Sequence, residues 1–90
     1  MSNQLGMDAG AVKQLATELQ RSAEQIEELR GRLDSQLAGV WWQGQDGDQF
    51  REQWAGAHTA ALKTVAQALS DAGQAANRNA IDQEATSGAL

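Results

Sequence analysis

Gly39-Val40-Trp41-Trp42-Gln43-Gly44-Gln45-Asp46-Gly47, near the middle of the chain, decides the fold. These nine residues hold three of the nine Gly in a 90-residue protein, and two of its three Trp. Glycine at that density between two periodic segments reads as a turn. Gly39 suits a left-handed cap on an incoming helix, and Gly44 suits a bend that needs positive φ. Asp46 and Gln49 stand at capping-box spacing, while Asp46 and Asp48 put negative charge at the positive end of an outgoing helix dipole. A second helix is therefore predicted to begin between Gln45 and Gly47.

Upstream, Val12, Leu15, Leu19, Ile26, Leu29, Leu33, Leu37 and Val40 recur at threes and fours, the period of one long amphipathic helix. With Val12 at heptad position a, the residues Leu19, Ile26, Leu33 and Val40 repeat it. Leu15 and Leu29 then fall at d, and Ala16, Ala23 and Leu37 beside them at e, with Ser22 and Gln36 interrupting the d row. Asp8 is placed to cap the start, with Met7 and Val12 at the two positions of a hydrophobic staple. Glu18, Gln20, Glu24, Glu27, Glu28, Arg30, Arg32 and Asp34 read as a solvated outer face, with Glu28 and Arg32 spaced to pair. Downstream, Phe50, Trp54, Leu62, Val65 and Leu69 keep the same rhythm among many Ala, giving a narrower stripe that favours close packing. Gly56 and Gly73 fall inside this second helix, where a glycine marks a bend, fraying or a close contact.

The fold class predicted is all-α: an antiparallel helix-turn-helix hairpin forming one domain over residues 1–90. Its first helix spans about 8–39, the turn about 40–46, the second helix about 47–84 and a mobile tail about 85–90. Two thin helices cannot cover each other's apolar stripes. A second hairpin covers them most simply, so dimerisation into a four-helix bundle is expected, with homodimer and heterodimer both open. The expected dimer and core set is Val12, Leu15, Leu19, Ile26, Leu29, Leu33, Leu37, Phe50, Trp54, Leu62, Val65 and Leu69.

Composition supports the helices and narrows function. The chain has 17 Ala, 12 Gln and 9 Leu and no Pro, so strong helix formers dominate and nothing rigid interrupts them. It has no Cys, no Tyr and a single His, which removes disulfides, thiol chemistry and the usual zinc ligand sets. Twelve acidic residues against seven basic ones, a formal charge of −5, argue against nucleic acid as a partner. No segment approaches the ~20 apolar residues of a membrane span, and Met1-Ser2-Asn3-Gln4-Leu5-Gly6 has neither the basic nor the apolar region of a cleavable signal. His58 has no Ser and acid at triad spacing, and Glu24 with Glu28 lacks a third ligand. The glycines of the turn have no accompanying Lys, and Asp46 and Asp48 would repel a phosphate. No enzyme activity, cofactor or metal is expected, and a membrane-binding role for the Trp-bearing turn lacks the flanking Lys or Arg it needs. Trp41 and Trp42 are adjacent and cannot both enter one core, so one of them is expected at the surface, as a lid over the bundle end or as an anchor for another protein.

Trp42-Gln43-Gly44 is a Trp-x-Gly tripeptide between two amphipathic helices in a short chain without Cys. The combination resembles the WXG family of type VII secretion substrates, the early secreted antigen-like proteins. Asp48-Gln49-Phe50-Arg51-Glu52-Gln53-Trp54, and the close from Arg78-Asn79-Ala80 to Glu84-Ala85-Thr86-Ser87, are similar to actinobacterial members, and the resemblance covers essentially the whole chain. It implies a hairpin with the tripeptide at its tip, antiparallel dimerisation with itself or a paralogous hairpin, and export of the folded dimer by a membrane-embedded secretion ATPase. It also implies that Trp42 and Gly44 form half of an export signal, completed by a Tyr-x-x-x-Asp/Glu element just after the second helix of the other subunit. This chain departs from that pattern in having no Tyr. Arg78 followed by Asp82, and Ala80 followed by Glu84, keep the acidic spacing without the aromatic. Three readings stay open: the partner supplies the tail signal, a degenerate version around Arg78, Asp82 and Glu84 suffices, or the chain stays in the cytoplasm as an adaptor of a secreted protein.

Overall fold

The computed structural model describes the backbone of residues 6–89 and the side chains of residues 6–86. It is a helical hairpin, 68 × 17 × 14 Å, without strands among the described residues. Helix α1 spans Ala9–Gly39, α2 spans Gln45–Gln53 and α3 spans Thr59–Ala89. A π-helical turn, Trp54–His58, joins α2 to α3 in one continuous rod that returns along α1. No helix among the described residues is long and apolar enough to cross a membrane.

The start of α1 follows its sequence signal. Asp8 is the N-cap, and its Oδ1 accepts the Ala11 N–H at 3.1 Å. The end does not: Gly39 closes the helix without left-handed φ, and Val40 caps it in extended conformation, its N–H donating to the Leu37 carbonyl at 3.4 Å. The turn is shorter than expected, 40–44 and not 40–46. Gly44 serves as N-cap of α2, so Asp46 and Asp48 lie within its first turn, where their charge complements the positive end of the dipole without forming a capping box. Helix α3 continues to Ala89, past the expected stop at 84, since the chain there offers no Pro to end it. The expected mobile tail is therefore helical as far as Ala89, and Leu90 lies outside the described residues.

The hairpin seam is made of the smallest side chains. Ala9, Ala16 and Ala23 on α1 and Ala66, Gly73 and Ala80 on α3 are buried, each set at intervals of seven. Residues seven apart return to one face, so each set forms a straight row, and rows without bulk bring the helix axes to the short end of the usual ~8–10 Å separation. Gly73 marks the closest approach: a Cβ there would lie 3.0 Å from the Ala16 carbonyl oxygen and 2.6 Å from Gln20 Nε2. The fully covered residue is Ala80, at 0% exposure.

Polar side chains line one edge of this seam. Gln20, expected on the solvated face, turns toward α3, where Nε2 donates to the Ser70 carbonyl at 2.7 Å and Oε1 accepts from Ser70 Oγ at 3.3 Å. Lys13 and Glu84 pair across the open end at 2.5 Å. Near the turn, Arg30 holds Glu27 at 3.0 Å and Asp34 at 2.8 Å, while Asp34 also accepts the Trp54 indole N–H. The expected Glu28–Arg32 pair is not formed among the described residues. Both residues are exposed, and such pairs are worth only a few tenths of a kcal/mol.

The π-turn sets the register of the tip. Counting back from Thr59 by an α-helical period would turn Ala55, Glu52 and Asp48 toward α1. One extra residue per turn instead turns Trp54, Arg51 and Gly47 inward, and leaves Glu52, Ala55 and Gly56 exposed. Thr59 closes the turn: its N–H reaches the Trp54 carbonyl and its Oγ1 donates to the same oxygen at 2.6 Å.

Two expectations follow, both read by circular-dichroism melting. Gly73→Ala should destabilise the hairpin by roughly 1–2 kcal/mol, because its Cβ meets the Ala16 backbone, whereas Gly56→Ala, with open space around it, should stabilise by up to about 1 kcal/mol. Deleting Gly56 should convert the π-turn to regular α-helix with both inward faces kept, leaving the melting midpoint unchanged or raised. Deleting Gln67, which rotates Ala66 away from Gly73, should abolish the cooperative transition.

Candidate functional site

Two features lie outside the seam: the tip, and a continuous apolar face. At the tip, Gly44 has φ +103° and ψ 178°, a conformation that essentially only glycine adopts. Three residues later the chain passes so close to itself that a Cβ on Gly47 would sit 2.5 Å from the Trp42 carbonyl oxygen and 3.0 Å from its ring. Gly47 is buried beneath Trp42 as a result. Arg51 clamps the turn from α2. Its Nη1 donates to the Trp42 carbonyl at 2.8 Å and its Nη2 to the Val40 carbonyl at 3.0 Å, pairing two carbonyls of the non-helical turn. Backbone and side chain thus fix Trp42 as one unit with α2, and its indole packs against Phe50 with ring centroids 5.3 Å apart.

The two adjacent Trp take different roles. Trp42 is 39% exposed and forms a wall of an apolar groove with Leu33, Leu37, Val40, Phe50 and Trp54. Trp41 is 83% exposed and projects from the tip into solvent. Trp54 is half-buried, with its indole tied to Asp34, and lies 6.4 Å from the exposed His58 ring. Among the described residues, no three of His, Cys, Asp and Glu gather where they could hold a metal ion.

None of the twelve expected dimer and core residues is buried within the hairpin. Leu15, Leu29, Leu33, Phe50 and Val65 are exposed, and Val12, Leu19, Ile26, Leu37, Trp54, Leu62 and Leu69 are half-buried. The alanine seam lies next to the a row of α1, so Leu and Ile side chains flank it and spread outward. An apolar face runs along one side of the rod, with Ser22, Gln25, Ile26, Leu29 and Leu69 lining an open groove near its middle.

Of the tail residues, Arg78, Asp82 and Glu84 lie within α3 and not after it. Arg78 and Asp82 are exposed one turn apart, while Glu84 is tied to Lys13 on a different side of the helix. Sequence reasoning singled out Trp42 and Gly44 but gave no role at the tip to Arg51, Gly47 or Asp34. The glycine cluster already contained the signal for Gly47. A guanidinium bridging carbonyls 9 and 11 residues away leaves no periodic trace.

Comparison with protein-family models, with curated proteins and with solved structures finds no match. The two tip glycines separate backbone from steric constraint. Gly44→Ala, with no atom near its Cβ, should cost about 1–3 kcal/mol through φ alone. Gly47→Ala should cost a similar roughly 1–3 kcal/mol by displacing Trp42. Only the second should red-shift tryptophan emission in the native state, and urea titration followed by fluorescence reads both.

Proposed function

We propose that this chain is a small non-enzymatic substrate or secreted partner protein of a type VII secretion system, acting as a dimer of helical hairpins. One observation carries the reading: the Trp-x-Gly tripeptide lies at the tip of a hairpin, with Trp42 packed over Gly47, its carbonyl bonded by Arg51, and Gly44 in a glycine-only conformation. A preorganised, partly exposed aromatic at the end of a rod suits recognition by another protein, because little ordering entropy is lost on contact. The exposed Leu and Val of the long face supply the second element, a surface for another hairpin. In this reading Trp42 and Gly44 are the export-signal half contributed by the turn, and a secretion ATPase is the reader.

A second reading is favoured by the tail. Glu84 is engaged by Lys13, Asp82 stands in mid-helix and there is no Tyr, so a complete tail signal is not assembled from this chain's own residues. The chain is then a cytoplasmic helical adaptor of a secreted protein. Trp42→Ala separates the two readings in a producing cell. Loss of the chain from the culture medium by tenfold or more, with helicity and native mass unchanged, is expected for a secreted substrate. A wild-type chain that stays in the cell pellet identifies the adaptor.

A further inference from the structure

The apolar face has a pattern that specifies its occupant. Along α1 it presents the a row Val12, Leu19, Ile26, Leu33 and the d row Leu15, Ser22, Leu29, Gln36, rimmed by Glu18, Gln25 and Arg32 at intervals of seven. The rim carries opposite charges equidistant from Gln25. Glu18 bonds only its own helix neighbour Arg21, at 2.8 Å on the surface, and Arg32 is exposed with no carboxylate partner among the described residues.

We infer that the occupant is a second copy of this chain, antiparallel, with α1 against α1 about a two-fold axis level with Glu24. This rests on the proposed pairing of hairpins and adds which hairpin and in which register. About that axis Leu33 meets Leu15 of the second copy, Leu19 meets its Leu29, and Ile26 enters the space over its Ser22, where the open groove lies. The same axis sets Arg32 beside Glu18 of the second copy, twice by symmetry, and Gln25 beside Gln25. Shifting the register by one heptad sets Gln25 against Arg32 or Glu18 and replaces the two Leu pairs by Ile26–Leu29 with Val40–Leu15, or by Val12–Leu29 with Ile26–Leu15, so it is the charge match that selects the register. Helix α3 agrees: Ala16 lies level with Gly73, which puts Val65, 47% exposed, level with Glu24 and hence at the same axis. A formal charge of −5 opposes self-association in general, and opposite charges at the rim are what a self-pairing face needs against it.

The test uses the full chain, which has no Cys of its own. Glu18→Cys and Arg32→Cys variants are oxidised alone and as a mixture, alongside sedimentation equilibrium of the wild type. A wild-type dimer, with an 18-to-32 disulfide forming in the mixture and neither variant linking to itself, is the expected result. Self-linked 18-to-18 or 32-to-32 species, or a dimer with no linkage, overturn the register. A wild-type monomer at all concentrations overturns the second copy as occupant, and if Trp42→Ala then still blocks export, the secretion reading stands without it. Charge reversal gives an independent readout. Glu18→Arg or Arg32→Glu alone should weaken the dimer roughly tenfold, from two surface pairs turned repulsive. The double reversal in one chain should restore it, as should mixing the two single variants. Failure of both to restore the dimer overturns the pairing.

Discussion

The close approach of α1 and α3 along a seam of Ala and Gly constrains everything else in this structure. With Ala16 facing Gly73 and Ala9, Ala23, Ala66 and Ala80 completing the rows, the interhelical space has no room for a Leu or Ile side chain. The larger residues are displaced to one side, and the polar residues Lys13, Gln20 and Asp34 to the other, where each finds a partner on the returning rod. A hairpin stabilised this way gains tight packing and several cross-helix bonds, and it leaves its larger apolar side chains only partly covered.

The turn is built to a different rule. Its geometry depends on Gly44 for backbone conformation, on Gly47 for space and on Arg51 for two hydrogen bonds, and it holds Trp42 against α2. The π-turn makes the two parts compatible. By adding one residue it lets Trp54 and Arg51 face α1 while Thr59, Ala66, Gly73 and Ala80 keep their own seven-residue register. π-bulges are common at functional positions, and here one lies between the shaft and the part that presents an aromatic to solvent.

Tip and face both expose apolar side chains. The tip presents Trp41 and Trp42 among polar residues, while the face is long and largely apolar. In the proposed secretion reading the first is an address and the second an assembly surface, and the engagement of Glu84 by Lys13 separates the tail from a simple linear signal.

The sequence by itself determined the hairpin, the Asp8 cap, the place of the turn and that the paired Trp could not both enter a core. These depend on local chemistry: period, capping oxygens, glycine density and the opposite directions of adjacent side chains. Only the tertiary structure decided which stripe would be buried. Periodicity locates Ala16 and Ala23 beside Leu19 and Ile26, but it cannot say that the small residues win the seam. That choice depends on what the returning helix offers, and α3 offers Ala66, Gly73 and Ala80 in register. Likewise the inward turn of Gln20, the π-shift at Trp54 and the Arg51 clamp each join residues far apart in sequence, so no window along the chain contains both partners.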